Sequence, residues 1–355
     1  MPAISAIKAS AGALACGVLV WWSGGHAEPF PSAPVRIIVP YPISGPTDVR
    51  GTSRVTKTYK LIAEAAPPAI SDALARIAAD AIRADTTYPV HLRREPGAAT
   101  TRGATHVARA RPDGHTLLFA SNATIVIGPQ YFYSVAYRPL HDFELVAPLA
   151  TMPFVLMANA TLPVGRVQQL IAWLKVRPGE INYGSSGDGS TGHLAGELFR
   201  RLTGLDVVHV SYNGGLAALN GLATNQVSFM FAALPLALPY LGNQYIRPIA
   251  VTTARRLEWL PDLPTIAEAG VSGYEAEGWY AIFAPARTSR LALAWLHEHI
   301  AAAMSDAETQ QRLRALGLEP ADSSRERFAT RINSEMDDWA PLVRASRIPL
   351  RDSPS

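Results

Sequence analysis

The segment VRIIVPYPISGPTD (residues 35–48) decides how the rest of the chain is interpreted. Its first part, VRIIV, is an almost continuous run of Val and Ile, which is typical of a strand buried on both faces. A turn rich in Gly and Pro follows, and Thr47-Asp48 then supplies residue types that begin helices. This order predicts an α/β unit whose loop, at the carboxyl end of its strand, forms part of a binding site.

The expected helix does not follow this loop directly. The first strong helical pattern is DALARIAADAIR (72–83), whose apolar residues recur at positions 74, 77, 78, 81 and 82. Lys57 and Lys60, two of only four lysines in the chain, lie in the intervening stretch. This local change in composition favours an insertion at residues 50–68.

The N-terminal 27 residues have the order of a secretory signal. Lys8 precedes the apolar run AGALACGVLVWW, and small residues stand around a cleavage position near Ala27. We therefore expect export to the periplasm, with a retained N-terminal anchor as the main alternative and lipidation at Cys16 as a weaker one. Cys16 is the only cysteine, so the mature chain would have no disulfide, thiol nucleophile or Cys-based metal site.

The remaining length and the alternation of strand and helix patterns predict two domains. Removing 27 of 355 residues leaves 328, which is more than one ordinary core needs. Apolar runs alternate with helical patterns, which predicts α/β domains with doubly wound sheets. We assign residues 28–148 and 285–355 to domain 1 and residues 149–284 to domain 2. The apolar runs 143–159 and 278–285 are predicted to cross between the domains and leave a cleft.

Four predicted loops follow apolar strands and are rich in Gly, Ser, Thr or Asn without any cation: ISGPTD (43–48), SNAT (121–124), GSSGDGSTGH (184–193) and YNGG (212–215). Backbone N–H groups in such turns and at helix N-termini bind anions. Ordinary turns and helix caps are the alternative interpretation for each loop taken alone. The net charge of +3, or +2 without Lys8, is not that of a nucleic-acid-binding protein.

Two enzyme hypotheses use the third loop. Gly187 to Gly192 fits G-x-G-x-x-G, but Asp206 precedes the next strand instead of ending it, which argues against dinucleotide binding. Ser185 or Ser186 could serve as a hydrolase nucleophile near His193 and His209, but the nucleophile-elbow pattern fails at Asp188. The nine histidines show no metal-binding spacing, so we expect neither a metal nor a cofactor.

The chain resembles the Bug family, the extracytoplasmic solute receptors of tripartite tricarboxylate transporters. The resemblance covers almost all of the mature chain and is carried by VRIIVPYPISGPTD, REPGAATTRGATHVARARPDGHTLL, YRPLHDFELVAPLATMPFVLMAN, INYGSSGDGSTGHLAGELF, VSYNGGLAALNGLATNQVSFMF and the run from PIAVTTARRLEWL to GWYAIFAPA. It implies a type II-like periplasmic-binding-protein fold that closes on a small organic acid. It also implies that backbone N–H groups, hydroxyls and water hold the carboxylate.

Carried over residue by residue, the resemblance implies a ligand site with contributions from both domains. The first-domain residues are Tyr41, Ser44, Gly45, Thr47, Asp48, Ser121 and Asn122. The second-domain residues are Ser185, Ser186, Gly187, Thr191, Tyr212, Asn213 and Gly214, with Trp279 nearby. The implied partners are the organic acid and the membrane subunits of a transporter, and we expect a monomer.

Three departures from the family pattern qualify this implication. Ile43-Ser44-Gly45 replaces the usual Pro-Gly-Gly, and Ser44 would be strained at a φ suited to Gly. Ala232-Ala233 stands where the family often has a polar or acidic residue. The insertion after Asp48 separates the loop from its helix, and PPAISD (67–72) is a faint second copy of that loop. A ligand-responsive sensor and a serine hydrolase stay as alternative functions.

Overall fold

The computed structural model describes residues 30–41, 70–97, 100–131 and 135–345. The predicted signal sequence, the loop 42–48 and the insertion 50–68 lie outside the described residues. Within the described ranges the chain forms two sheets of six and five strands, with helices packed against them. None of the described helices has the length and apolar character needed to span a membrane.

The first sheet confirms the predicted βαβαβ order and then adds antiparallel strands. Its strands are β1 Val35–Val39, β2 Val90–Arg94, β3 Thr116–Ser121, β4 Phe143–Met152, β10 Gly278–Pro285 and β11 Glu319–Pro320. Their spatial order is β11-β4-β10-β3-β1-β2. Strand β1 pairs in parallel with β2 and β3, whereas β10 runs antiparallel to β3 and β4. The sheet is therefore mixed, with its parallel part formed by the first three strands.

The second sheet repeats the same plan. Its spatial order is β7-β6-β8-β5-β9. The strands are β5 Phe154–Asn159, β6 Asn182–Ser185, β7 Val208–Ser211, β8 Phe229–Ala233 and β9 Ile246–Val251. Strands β6, β7 and β8 are parallel, and β5 joins them antiparallel to β8 and β9.

The described ranges contain eleven α-helices: α1 Ile70–Arg83, α2 Thr101–Ala108, α3 Gly128–Tyr131, α4 Pro139–Asp142, α5 Val167–Lys175, α6 Thr191–Thr203, α7 Gly215–Ala223, α8 Leu234–Ala237, α9 Arg290–Ser305, α10 Ala307–Ala315 and α11 Arg325–Ala345. A π-helical turn, Ala123–Ile127, precedes α3. A π-helical turn often occurs at a functional site. This one directly follows β3.

The apolar run predicted to cross between domains is divided at Pro153. Strand β4 ends at Met152 in the first sheet, and β5 begins at Phe154 in the second. Proline has no backbone N–H for a ladder, so it marks the point at which the chain changes sheets. The return crossing enters the first sheet as β10. The domain limits given above stay predictions.

Strand β1 is buried on both faces, as its composition predicted. Ile37 and Val39 pack in the cluster that contains Leu74 and Ile82 of α1, whereas Ile38 packs with Leu118 in the other cluster. Each large apolar side chain removed from water contributes about 1.5–3 kcal/mol. This burial fixes the carboxyl end of β1 beside the carboxyl end of β3.

Candidate functional site

A cavity of about 220 Å³ lies where the carboxyl ends of strands from the two sheets face each other. The first-sheet side and the crossing contribute Tyr41, Ser121, Asn122, Ala123, Met152 and Tyr280. The second-sheet side contributes Phe154, Ser186, Ser190, Thr191, Gly192, Gly215, Met230, Phe231, Ala232, Ala233 and Leu236. The described lining residues include no Lys, Arg, His, Asp or Glu side chain.

A chain of hydroxyl groups supports the first-sheet side. The Tyr41 hydroxyl donates to Ser121 Oγ at 2.7 Å and lies 3.1 Å from Thr124 Oγ1, which is 2.9 Å from Thr100 Oγ1. Burial raises the pKa of Tyr41, so its hydroxyl stays protonated at neutral pH. Adjacent parallel strands bring Tyr41 and Ser121 together, since each residue stands at the carboxyl end of its strand.

Asn122 connects the two sides of the cavity. Its Nδ2 donates to Thr191 Oγ1 at 3.3 Å and to the backbone carbonyl of Glu277 at 3.4 Å. Asn122 and Thr191 are both buried. One amide thus joins β3, the first residue of α6 and the segment that leads into β10.

The N-terminus of α6 is the strongest anion-binding feature of the site. Ser190 caps the helix, and its side chain accepts from the N–H of His193 at 3.3 Å. The N–H groups of Thr191 and Gly192 precede the first intrahelical hydrogen bonds and lie at the cavity. A Cβ on Gly192 would stand only 2.6 Å from the carbonyl oxygen of Phe231, so glycine allows this close approach. Together with the helix dipole, these N–H groups favour a bound anion.

Helix α7 also begins at the cavity, but an apolar side chain covers its first residue. A Cβ on Gly215 would meet Leu236 Cδ2 at 2.6 Å and Ser186 Cβ at 3.9 Å. The Ser186 carbonyl accepts from the N–H of Gly214 at 3.1 Å, which holds the loop against the start of α7. The second helix terminus is therefore partly shielded by Leu236.

Five residues implied by the resemblance line this cavity: Tyr41, Ser121, Asn122, Ser186 and Thr191. Four others, Ser44, Gly45, Thr47 and Asp48, lie outside the described residues. The remaining six, Ser185, Gly187, Tyr212, Asn213, Gly214 and Trp279, do not line it. Tyr212 supports the second sheet by packing against Gly184 and Gly221, whereas Asn213 and Gly214 are exposed.

Trp279 and its neighbour Tyr280 show why side-chain direction matters here. Trp279 is fully buried, and its indole N–H donates to Glu335 Oε2 at 2.7 Å. Tyr280 lies on the opposite face of β10 and lines the cavity. The resemblance implied the first residue, and the structure places the second at the site. The alternation of side chains along a strand was the signal that could have identified Tyr280.

A polar cluster lies behind the loop that leads to α6. Ser185 Oγ is 2.7 Å from His209 Nε2, and His209 Nδ1 is 3.7 Å from Asp188 Oδ1. The His193 and His209 rings stack with centroids 3.7 Å apart and planes 5° apart. Burial lowers the pKa of His193 to about 3, with a further contribution from His209, and burial also lowers the pKa of His209. Both rings are therefore neutral at pH 7.

This cluster has the residue types of a metal site or a catalytic triad, but its geometry opposes both. Candidate ligand atoms of Asp188, His193 and His209 lie within 4.8 Å of one another. Imidazole binds a metal in its ring plane, and two nearly parallel stacked rings cannot share one in-plane ion. Ser185 is completely buried, and its Oγ also accepts from the N–H of Gly187 at 3.2 Å. The nucleophile position is thus closed to a substrate.

Comparison with known proteins assigns the chain to a family. Residues 74–348 match the description "Tripartite tricarboxylate transporter family receptor". Protein BugT of Bordetella pertussis is 28% identical over 92% of this chain and 93% of its own length. A UPF0065 protein from the tcbD-tcbE intergenic region of Pseudomonas sp. (strain P51) is 29% identical over 89% of this chain and 87% of its own length.

Solved structures share both the fold and the sequence pattern. Rpa4515 of R. palustris, solved with adipate, is 30% identical with a TM-score of 0.71 and covers 89% of this chain and 98% of its own. MatC of Rhodopseudomonas palustris, with bound malate, is 27% identical with a TM-score of 0.68 over 88% of this chain and 100% of its own. The periplasmic binding protein BugD is 26% identical with a TM-score of 0.68 and covers 90% and 99%. These comparisons confirm the resemblance and the two-sheet α/β fold.

Proposed function

Because the chain belongs to the tripartite tricarboxylate transporter receptor family, we propose that it captures a small organic carboxylate between its two sheets and presents it to membrane transporter subunits. The observation that carries this proposal is the N-terminus of α6, which begins at a cavity without charged side chains among its described residues. Malate and adipate in the related structures support a carboxylate as the ligand. Periplasmic location, cleavage near Ala27 and a monomeric state belong to the same proposal.

The carboxylate is held by groups that are already fixed. Its oxygens accept from the N–H groups of Thr191 and Gly192 and from the hydroxyl of Ser121, whereas the Asn122 amide holds Thr191 in place. Each hydrogen bond to a charged group contributes about 1.5–3 kcal/mol, and the helix terminus adds about 0.3–1 kcal/mol. Since these groups come from both sides of the cavity, the ligand favours the state in which the two sides are close. Its differential affinity for that state sets the shift between open and closed forms.

A thermal-shift panel of organic acids tests the proposal. The exported protein, purified after secretion, should melt at a higher temperature with at least one acid, and the acid should be recovered unchanged. Substituting Asn122→Ala should reduce the shift, because it removes the amide that joins the two sides. A well-folded protein that binds no acid in the panel, or that consumes the acid, would contradict the proposal.

Two alternative functions need separate tests. A ligand-responsive sensor would use the same cavity, and only co-purification with transporter subunits favours transport. The 2.7 Å contact between Ser185 and His209 is the observation that favours a hydrolase. Turnover of an ester or amide that is lost in Ser185→Ala or Ser186→Ala would establish that activity. We expect no turnover, because Ser185 is buried and its hydroxyl is engaged.

A further inference from the structure

We propose that the ligand of this chain carries a single ionised carboxylate on an uncharged, apolar body, such as a short alkyl chain or one ring. This inference rests on the proposed function, because it assumes that a carboxylate occupies the cavity. It narrows the ligand class by excluding acids with a second ionised group. The evidence comes from the part of the cavity wall that does not contact the anchor.

Apart from Ser186 and the hydroxyls of Tyr41 and Tyr280, the polar side chains of the described cavity wall are concentrated at one anchor. Ser190, Thr191 and Gly192 at the start of α6 lie opposite Ser121 and Asn122. A single carboxylate uses the available donors, since the N–H groups of Thr191 and Gly192 and the Ser121 hydroxyl match its two oxygens. Phe154 lies beside them, with its Cε1 3.5 Å from the position of a Cβ on Gly192. An apolar ring therefore borders the anchor directly.

The wall beside the start of α7, where a second anchor would stand, is mainly apolar, with Ser186 as its one polar side chain among the described residues. Leu236 packs against Gly215, the first residue of α7, and partly shields that helix terminus from a ligand. Ala232 and Ala233, at the end of β8, add only methyl groups to the lining. A second ionised group placed here would lose its water without gaining a charged partner, which disfavours binding. Burial of an uncharged hydrocarbon at the same place favours binding, because apolar surface is removed from water.

The opposite wall is aromatic and neutral. Tyr41 and Tyr280 line this wall, and behind them the buried Phe119 stacks on Tyr280 with ring centroids 5.4 Å apart and meets Tyr41 edge-on at 5.9 Å. The Tyr280 hydroxyl contacts Met152 Sδ at 3.8 Å, and burial raises its pKa above its usual value. At about 220 Å³ the cavity is below the roughly 300–1,000 Å³ typical of sites for drug-sized ligands. The body of the ligand is therefore small as well as apolar.

Matched acids that differ by one carboxylate test this inference. We compare hexanoate with adipate and benzoate with terephthalate by titration calorimetry on the exported protein. In at least one pair the monocarboxylate should bind at least tenfold more tightly, a difference of about 1.4 kcal/mol. Hexanamide and benzamide should not bind, because the anchor requires an anion.

A charge-introducing variant sharpens the test. Leu236→Arg should invert the preference in favour of the dicarboxylate, because it provides a cation beside α7. Leu291→Arg adds the same charge at a side chain that is 71% exposed and should leave the preference unchanged. The ratio of the affinities for monocarboxylate and dicarboxylate, measured on the unmodified protein, tests the single-charge inference even if Leu236→Arg does not fold.

The results of these titrations distinguish a failure of the single-charge inference from a failure of the proposed function. A dicarboxylate that binds more tightly than its partner in either pair overturns the single-charge inference and leaves carboxylate capture intact. A folded protein that binds none of these four acids but binds another acid of the thermal-shift panel likewise overturns only the single-charge inference. A folded protein that binds no acid of the panel, or that binds the amides equally well, overturns the proposed function itself.

Discussion

The two faces of strand β10 differ in the charged groups that they contact. Tyr280 faces a cavity without charged side chains among its described lining residues, whereas the Trp279 indole on the other face contacts a partly buried ion cluster. In that cluster Arg331 contacts Glu277 at 3.2 Å and Glu335 at 2.7 Å. Burial raises the pKa of both carboxyl groups despite the nearby guanidinium.

The difference indicates which charges the protein supplies for itself. On the Trp279 face the partners are fixed side chains, so each partly buried charge has a permanent counterpart. On the Tyr280 face the protein supplies oriented N–H groups and leaves the charge to the ligand. Asn122 links the two regions, because its amide contacts both Thr191 in the cavity and the backbone of Glu277.

The largest expected effect comes from removing the shared cation. Arg331→Met leaves two partly buried carboxyl groups without their partner and should lower the free energy of unfolding by about 3 kcal/mol, the low end of the range for breaking a fully buried pair. Urea denaturation measures this change. Arg327→Met breaks an ion pair with Asp322 on the exposed side of the same helix and should have little effect. Equal losses in the two variants would show that the cluster has no special importance.

The next largest effect on stability is expected at Gly192, where the start of α6 lies close to the backbone of Phe231. Gly192→Ala places a Cβ 2.6 Å from the carbonyl oxygen of Phe231 and should cost about 1–3 kcal/mol through overpacking. Ligand affinity should fall as well, because the start of α6 must move. Gly242→Ala is the control, since a Cβ there meets nothing within 4 Å. Unchanged stability and affinity in Gly192→Ala would contradict the proposed geometry.

Lowering the pH should reduce the stability of the folded protein through His193, which lies behind the anchor. The pKa of His193 is about 3 in the folded protein, below its unfolded value of about 6.5, so the unfolded chain binds more protons between these two pH values. Stability is therefore full above pH 6.5 and falls by about 1.4 kcal/mol per pH unit as pH decreases from there towards 3. The raised pKa values of Glu277 and Glu335 oppose this trend, because the folded state takes up their protons first as pH falls.

Comparison with a histidine variant isolates the contribution of the ring. Unfolding curves at pH 7 and pH 5.5 should differ less for His193→Gln than for the unmodified protein. His141→Gln, which removes an exposed histidine paired with Asp142, serves as the matched control. An identical pH dependence in the unmodified protein and in His193→Gln would exclude His193 as the source.

The smallest expected effect is on ligand affinity and concerns two asparagines, Asn122 and Asn213. The family resemblance implies both as ligand-binding residues. Asn122→Ala removes the link between the two regions and should reduce ligand affinity by about 0.5–1.5 kcal/mol, the usual value of one hydrogen bond. Asn213 is exposed and does not line the cavity, so Asn213→Ala should leave affinity unchanged. Calorimetry with the tightest acid measures both. A larger loss in Asn213→Ala would place the ligand closer to the 212–215 loop.

Much of the fold could be predicted because it depends on local patterns. The Val and Ile run of β1, the apolar periodicity of α1 and the crossing at residues 143–159 all appear in the structure. The division of that crossing at Pro153 follows from the chemistry of proline. The antiparallel insertion of β10 between β3 and β4 did not follow from the βαβαβ pattern, because strand order depends on pairing between distant segments.

The candidate site was predicted less completely, for a reason that particular pairs illustrate. Ser185 and Ser186 are adjacent, but the first is buried against His209 and the second lines the cavity. The cluster of Asp188, His193 and His209 joins a loop, a helix and a strand, so no sequence spacing revealed it.

By itself, the sequence determined the family, the alternating α/β pattern and an uncharged set of loops, because each of these depends on local residue order. Only the tertiary structure decided that Tyr280 and not Trp279 lines the cavity, that Leu236 covers the start of α7, and that His193 and His209 stack. Side-chain direction depends on strand register and on packing between segments far apart in the chain, which local patterns do not encode.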